Sequence, residues 1–155
     1  MTGTDVTLEF TLSNDMAALD RLNDQLNRFR VAAGLATKCF NEVNLALEEL
    51  FVNFVHYAHP GRCGRHTIRF SLSLADAVLT IRTEDSGMAF NPMSAVSPDT
   101  KCPLAQRKIG GLGILLIKKA MDEIHYERLG QRNVTTFIKY IDNDATCLEQ
   151  TAKPS

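Results

Sequence analysis

The sequence predicts an α+β fold: a two-layer sandwich of one mostly antiparallel, mixed sheet with helices on one face. Three observations predict it. Several segments alternate apolar and polar residues one by one, which marks half-buried strands. Others repeat apolar residues every three or four positions, which marks amphipathic helices. Their order is βααββ–loop–αββ, with strands and helices grouped, as in α+β architectures.

Val6, Leu8, Phe10 and Leu12 alternate with Thr7, Glu9 and Thr11 and form the first strand. Ser13-Asn14-Asp15 supplies capping side chains for the helix that follows. There, Leu19, Leu22, Leu26, Phe29 and Ala33 repeat at helical spacing, and Gly34 is the C-terminal stop. A second helix starts near Thr37 and ends before Pro60. Pro60-Gly61 and Cys63-Gly64 mark a turn. Ile68, Phe70, Leu72 and Leu74 form the second strand, Ala75-Asp76 a turn, and Val78–Glu84 the third strand, so that these two strands make a hairpin. Residues 90–109 are rich in Pro, Ser, Lys and Asp with weak periodicity, the length and character of a lid. An apolar helix over Ile114–Met121 comes next. Strands Ile124–Arg128 and Val134–Ile141 follow around Gly130-Gln131-Arg132, and a polar tail closes the chain.

The length of 155 residues suits one domain. A chain of this size buries roughly 70% of its unfolded surface. Its 17 basic and 18 acidic residues balance to −1, which gives no electrostatic footprint for nucleic acid or an acidic membrane. Cys39, Cys63, Cys102 and Cys147 are widely spaced, without a CxxC pair. They read as reduced thiols rather than a disulfide frame or zinc site. No apolar run approaches a membrane span, and the N-terminus lacks a signal-peptide pattern, so a cytoplasmic protein is expected.

The chemistry concentrates in three stretches. In Asn44–Pro60, Glu49, Asn53 and His56 stand at i, i+4 and i+7, within about 60° of one another on a helix. Phe40, Val43, Leu47, Leu50 and Phe54 form a core stripe on the far side. The three polar residues are therefore either a site or a wet face. Asp85-Ser86-Gly87 ends a strand. Its carboxylate suits the exocyclic amine of a purine and its glycine a close approach to a flat ring, although Asp and Gly are also ordinary turn residues. Gly110-Gly111-Leu112-Gly113 precedes an apolar helix, where backbone N–H groups and the helix N-terminus suit phosphate. It is neither a Walker nor a Rossmann pattern.

Taken together and in this order, these stretches resemble the Bergerat-fold (GHKL) ATPases. They are most similar to the anti-sigma-factor serine/threonine kinases of partner-switching systems. The carrying residues are Glu48-Glu49-Leu50-Phe51-Val52-Asn53, Glu84-Asp85-Ser86-Gly87 with Phe90-Asn91-Pro92, and Arg107-Lys108-Ile109-Gly110-Gly111-Leu112-Gly113-Ile114. The similarity runs over residues 6–141, with the lid at about 90–110 and the tail at 142–155. It leaves no room for a histidine-kinase dimerisation helix pair.

The resemblance implies ATP and Mg2+ as cofactors. Glu49 is then the catalytic base and Asn53 the magnesium ligand. Asp85 holds the adenine amine and Gly87 lines the base. Gly111, Leu112 and Gly113 end the lid near the phosphates, and Arg107 and Lys108 neutralise phosphoryl charge. His56 stands where many relatives carry Lys or Arg near the phosphates. Thr135 or Asn133 reaches the adenine through water, although the Gly-Thr pair of the family is absent. The implied activity is phosphorylation of a STAS-domain anti-anti-sigma antagonist by a homodimeric kinase that also sequesters a sigma factor. The alternatives are a nucleotide-binding switch without catalysis and a kinase of another regulatory protein.

Overall fold

The computed structural model describes residues 5–57, 66–89, 91 and 113–142. Its elements are β1 (Val6–Ser13), α1 (Leu19–Ala33), α2 (Thr37–Tyr57), β2 (Thr67–Ala75), β3 (Val78–Asp85), α3 over residues 113–120, β4 (Glu123–Leu129) and β5 (Arg132–Tyr140). The strands form one sheet in the order β1-β2-β3-β5-β4, and all four pairings are antiparallel. The expected turn at Pro60–Gly64, nearly all of the expected lid and the tail beyond Asp142 lie outside the described residues.

Local chemistry explains the element ends, with two adjustments to the sequence reading. Asp15 does cap, but it caps a short 3-10 turn over Met16–Ala18, accepting a hydrogen bond from the Ala17 N–H at 2.9 Å; α1 proper starts at Leu19 without a side-chain cap. Asn14 instead ties β1 to the approach of β2. Its N–H donates to the His66 carbonyl (2.9 Å), and its Oδ1 accepts from the His66 N–H (3.2 Å). Gly34 ends α1 in the left-handed conformation, φ 69°, where a side chain would be strained. The β2–β3 turn is Asp76-Ala77, one residue later than predicted. Both residues have positive φ (51° and 62°), the condition of the two-residue turn that matches strand twist.

The registers stack the inward residues into rows across the sheet. One row is Leu8, Leu72, Ile81, Phe137 and Ile124, and the next is Phe10, Phe70, Thr83, Thr135 and Tyr126. The third is Leu12, Ile68, Asp85, Asn133 and Arg128. On β1 and β2 these rows are apolar, and Phe10 stacks on Phe70 with ring centroids 5.0 Å apart. Leu22, Leu26 and Phe29 of α1 and Phe40, Val43, Leu47, Leu50 and Phe54 of α2 join them in one core cluster. Burial of this apolar area is the main term holding helices to sheet. The opposite face carries Thr7, Glu9, Arg69, Ser71, Arg82 and Glu84, as a solvated face should. There Arg69 reaches Glu9 at 2.8 Å, and that hydrogen bond with its charge holds the Glu9 carboxyl below its usual range. No helix among the described residues is long and apolar enough to cross a membrane.

Candidate nucleotide site

The inward rows lose their apolar character where β3, β5 and β4 meet. Thr83, Thr135 and Asn133 are buried there, against a core otherwise made of aliphatic and aromatic side chains. A second polar intrusion lies on α2. Asn53 is only 3% exposed, so at this residue α2 does not present the wet face that helical spacing alone allows. Ala46 and Phe51 are also buried, so α2 is enclosed on more than its predicted stripe. These two intrusions contain the functional candidates.

On α2 the candidates converge with α3. Glu49 and Asn53 lie one helical turn apart, and Gly113, the first described residue of α3, packs against both. A Cβ on Gly113 would stand 2.9 Å from Glu49 Oε2, 3.4 Å from Glu49 Cβ and 3.5 Å from Asn53 Nδ2. Asn53 Nδ2 and Oδ1 are both buried without a hydrogen-bond partner, and no other buried side-chain nitrogen or oxygen among the described residues is in that state. An unsatisfied buried polar group costs on the order of 1–3 kcal/mol. Such an expense is understandable where a ligand supplies the partner. Glu48, the neighbouring carboxylate, is engaged elsewhere. Asn44 Nδ2 donates to Glu48 Oε1 (3.1 Å) and to Asn23 Oδ1 on α1 (3.1 Å), so Glu48 belongs to the α1–α2 seam. His56 is exposed in the last turn of α2.

At the sheet corner, Asp85 ends β3 with its side chain held from two sides. Its Oδ1 accepts from the Gly87 N–H (2.8 Å) and from Asn133 Nδ2 (3.1 Å). Gly87 is buried beside it. Asn133 Nδ2 also donates to the Met88 carbonyl at 2.7 Å, while Asn133 Oδ1 accepts from the Tyr126 hydroxyl (2.5 Å) and from the Arg128 guanidinium (3.1 Å). Arg128 donates again to the Gly87 carbonyl at 2.7 Å. Thr83 and Thr135 face each other one row inward.

Of the residues predicted for the site, the structure brings Glu49, Asn53 and Gly113 into one group and Asp85 and Gly87 into another, with Thr135 in the adjacent row. Arg107, Lys108, Gly111 and Leu112 lie outside the described residues. Sequence reading missed Thr83, Tyr126 and Arg128. Strand alternation already put Thr83 and Asp85 on one face, a signal that was available. Tyr126 and Arg128 needed the β4–β5 register.

Comparison with known proteins agrees with the fold. Residues 12–139 match the family described as histidine kinase-like ATPase domain. Over 124 residues the chain is 27% identical to serine-protein kinase RsbW of Listeria monocytogenes serovar 1/2a, covering 77% of this chain and 76% of that protein. Among solved structures it is similar to the RsbU and RsbW domains of Rv1364c from Mycobacterium tuberculosis (TM-score 0.62, 15% identity, 86% of this chain). It is also similar to the histidine kinase domain of the Erythrobacter litoralis EL346 blue-light activated histidine kinase (TM-score 0.52, 15% identity, 85% of this chain). It spans 31% of the first of those chains and 66% of the second, and at such identities the likeness is one of fold. With the family match running over most of its length, the chain belongs to the histidine kinase-like ATPase domains of the GHKL type.

Proposed function

We propose that the chain is an ATP-dependent protein serine kinase and anti-sigma factor of a partner-switching system. In this reading it phosphorylates a small STAS-domain antagonist, holds a sigma factor, and works as a homodimer in the cytoplasm. The observation that carries the nucleotide part is Asn53. A buried amide with both polar atoms unpartnered, one turn from a carboxylate and packed against Gly113 of α3, fits a hard cation that carries phosphate oxygens.

Asn53 Oδ1 suits a magnesium ion, which takes oxygen ligands, keeps several waters and needs few protein groups. When bound, the ion supplies charge neutralisation for the phosphates. Glu49 takes the proton from the attacking serine hydroxyl. Its position one turn from Asn53 keeps base and phosphates in one centre. Gly113 leaves room for that carboxylate. Asp85 accepts the exocyclic amine of adenine, Gly87 allows the base to lie close, and Thr135 stands on the floor beside them. The family resemblance assigns His56, Arg107, Lys108, Gly111 and Leu112 to the phosphates, the last four lying outside the described residues. Similarity to a protein named serine-protein kinase supports protein serine as the acceptor. Phosphorylation adds about −1.5 to −2 charges to the antagonist, enough to disfavour its contact with the kinase and release it.

The test is a phosphotransfer assay with the purified chain, labelled ATP, Mg2+ and the STAS-domain proteins encoded in the same genome. Label on serine of one of them with the wild type, and not with Glu49→Ala, is the expected result. Tight ATP binding with no transfer to any of them would overturn the kinase assignment.

A further inference from the structure

The corner built by Asn133 does more than fill space. Asn133 is the cross-strand partner of both Asp85 on β3 and Arg128 on β4, so register alone lines up the three side chains. The amide orientation is decided by chemistry. A guanidinium only donates, so the atom facing Arg128 is the amide oxygen, and the nitrogen faces Asp85. Both N–H groups of that nitrogen are then used, on Asp85 Oδ1 and the Met88 carbonyl, and the oxygen accepts twice, from Tyr126 and Arg128. Asn133 therefore has no capacity left for a nucleotide or for a water beside it. What it does is fix Asp85: Oδ1 is consumed by Asn133 and the Gly87 N–H, and no hydrogen bond among the described residues involves Oδ2.

Resting on the nucleotide reading above, we propose that Asn133 is a positioning residue for base selectivity. Held by Tyr126 and Arg128, it presents Asp85 Oδ2 as a single oriented acceptor, which reads the 6-amino group of adenine. A carboxylate free to rotate would offer either oxygen and would pay an ordering cost on binding. The pinned one discriminates between purines that carry and lack a donor at that position. Arg128 adds to this by holding the Gly87 carbonyl, so the turn after β3 and the carboxylate are braced by the same strand pair.

The test is titration calorimetry of the full chain with magnesium ATP and with purine riboside triphosphate, which lacks the 6-amino group. It is run on wild type, Asn133→Ala and Tyr126→Phe. Wild type should prefer ATP roughly tenfold or more, the range of a hydrogen bond to a charged acceptor. Asn133→Ala should cut that preference several-fold while the analogue keeps its affinity, and Tyr126→Phe should lower it part of the way. Thermal unfolding checks that each variant is folded. If Asn133→Ala is not, Tyr126→Phe and Arg128→Met carry the test. A preference unchanged in the folded variants would overturn the positioning role. An equal loss of ATP and analogue would overturn it too, because that is the mark of general packing. A wild type that binds both equally would overturn the base-site reading of Asp85 itself, so the two failures are distinguishable.

Discussion

Gly113→Ala separates the stability of this domain from its chemistry. The new Cβ would lie 2.9 Å from Glu49 Oε2, closer than a carbon and an oxygen tolerate, while its other neighbours at 3.4 and 3.5 Å are near ordinary contact. The obstacle is the tip of a flexible side chain, so the backbone need not move. To restore van der Waals separation the carboxylate must retreat by roughly half an ångström, or leave its rotamer at about 0.5–1.5 kcal/mol. Against this, Ala is favoured over Gly in a helix by up to about 1 kcal/mol. The two terms nearly cancel, and the unfolding free energy should stay within about 1 kcal/mol of wild type. Phosphotransfer should not survive so well. Displacing a base by a fraction of an ångström to an ångström costs on the order of 10- to 100-fold. Thermal melts together with single-turnover phosphotransfer at saturating ATP read both quantities. Wild-type turnover in a folded Gly113→Ala protein would refute the assignment of Glu49 as base. A collapse of stability would refute the geometry of the α2–α3 contact.

Three further outcomes are expected. Asn53→Leu replaces the unpartnered amide by an apolar group of similar size; it should raise stability by about 1–3 kcal/mol and abolish magnesium-dependent nucleotide binding, measured by denaturant titration and calorimetry. Ala77→Gly relieves a left-handed residue in the β2–β3 turn, φ 62°, and should stabilise by about 1 kcal/mol with phosphotransfer unchanged. Burial raises the Cys39 thiol above its ordinary value of 9.0. Its contribution is complete below the unfolded value and falls as pH rises toward the folded one. Stability should therefore drop more steeply above pH 9 in wild type than in Cys39→Ala, and iodoacetamide should modify native Cys39 more slowly than the urea-unfolded chain.

The strands and the two long helices were legible in the residues because their periods differ. Alternation in Val6–Leu12 and Ile68–Leu74 assigns each side chain to a face without any knowledge of partners, and the spacing of Phe40 to Phe54 does the same for α2. The turn at Asp76-Ala77 was displaced by one residue, because alanine carries no sign of the positive φ that hairpin geometry imposes on it. Spacing also grouped Glu49 with Asn53, and sequence order put Asp85 at a strand end.

Only the tertiary structure decided which polar residues are buried. One face of a helix reads the same whether solvent or another helix covers it, and only the packed structure, with Gly113 of α3 against this face, reveals Asn53 as a buried, unpartnered amide. Only the seam with α1 separates Glu48 from Glu49, adjacent carboxylates of identical chemistry. The row Asp85–Asn133–Arg128 likewise needs two strand registers, set by contacts far apart in the chain, before three ordinary polar residues become one oriented acceptor. Periodicity along the chain thus determines faces. Which faces meet is determined by packing between distant segments, and the chemistry of this site depends on those meetings.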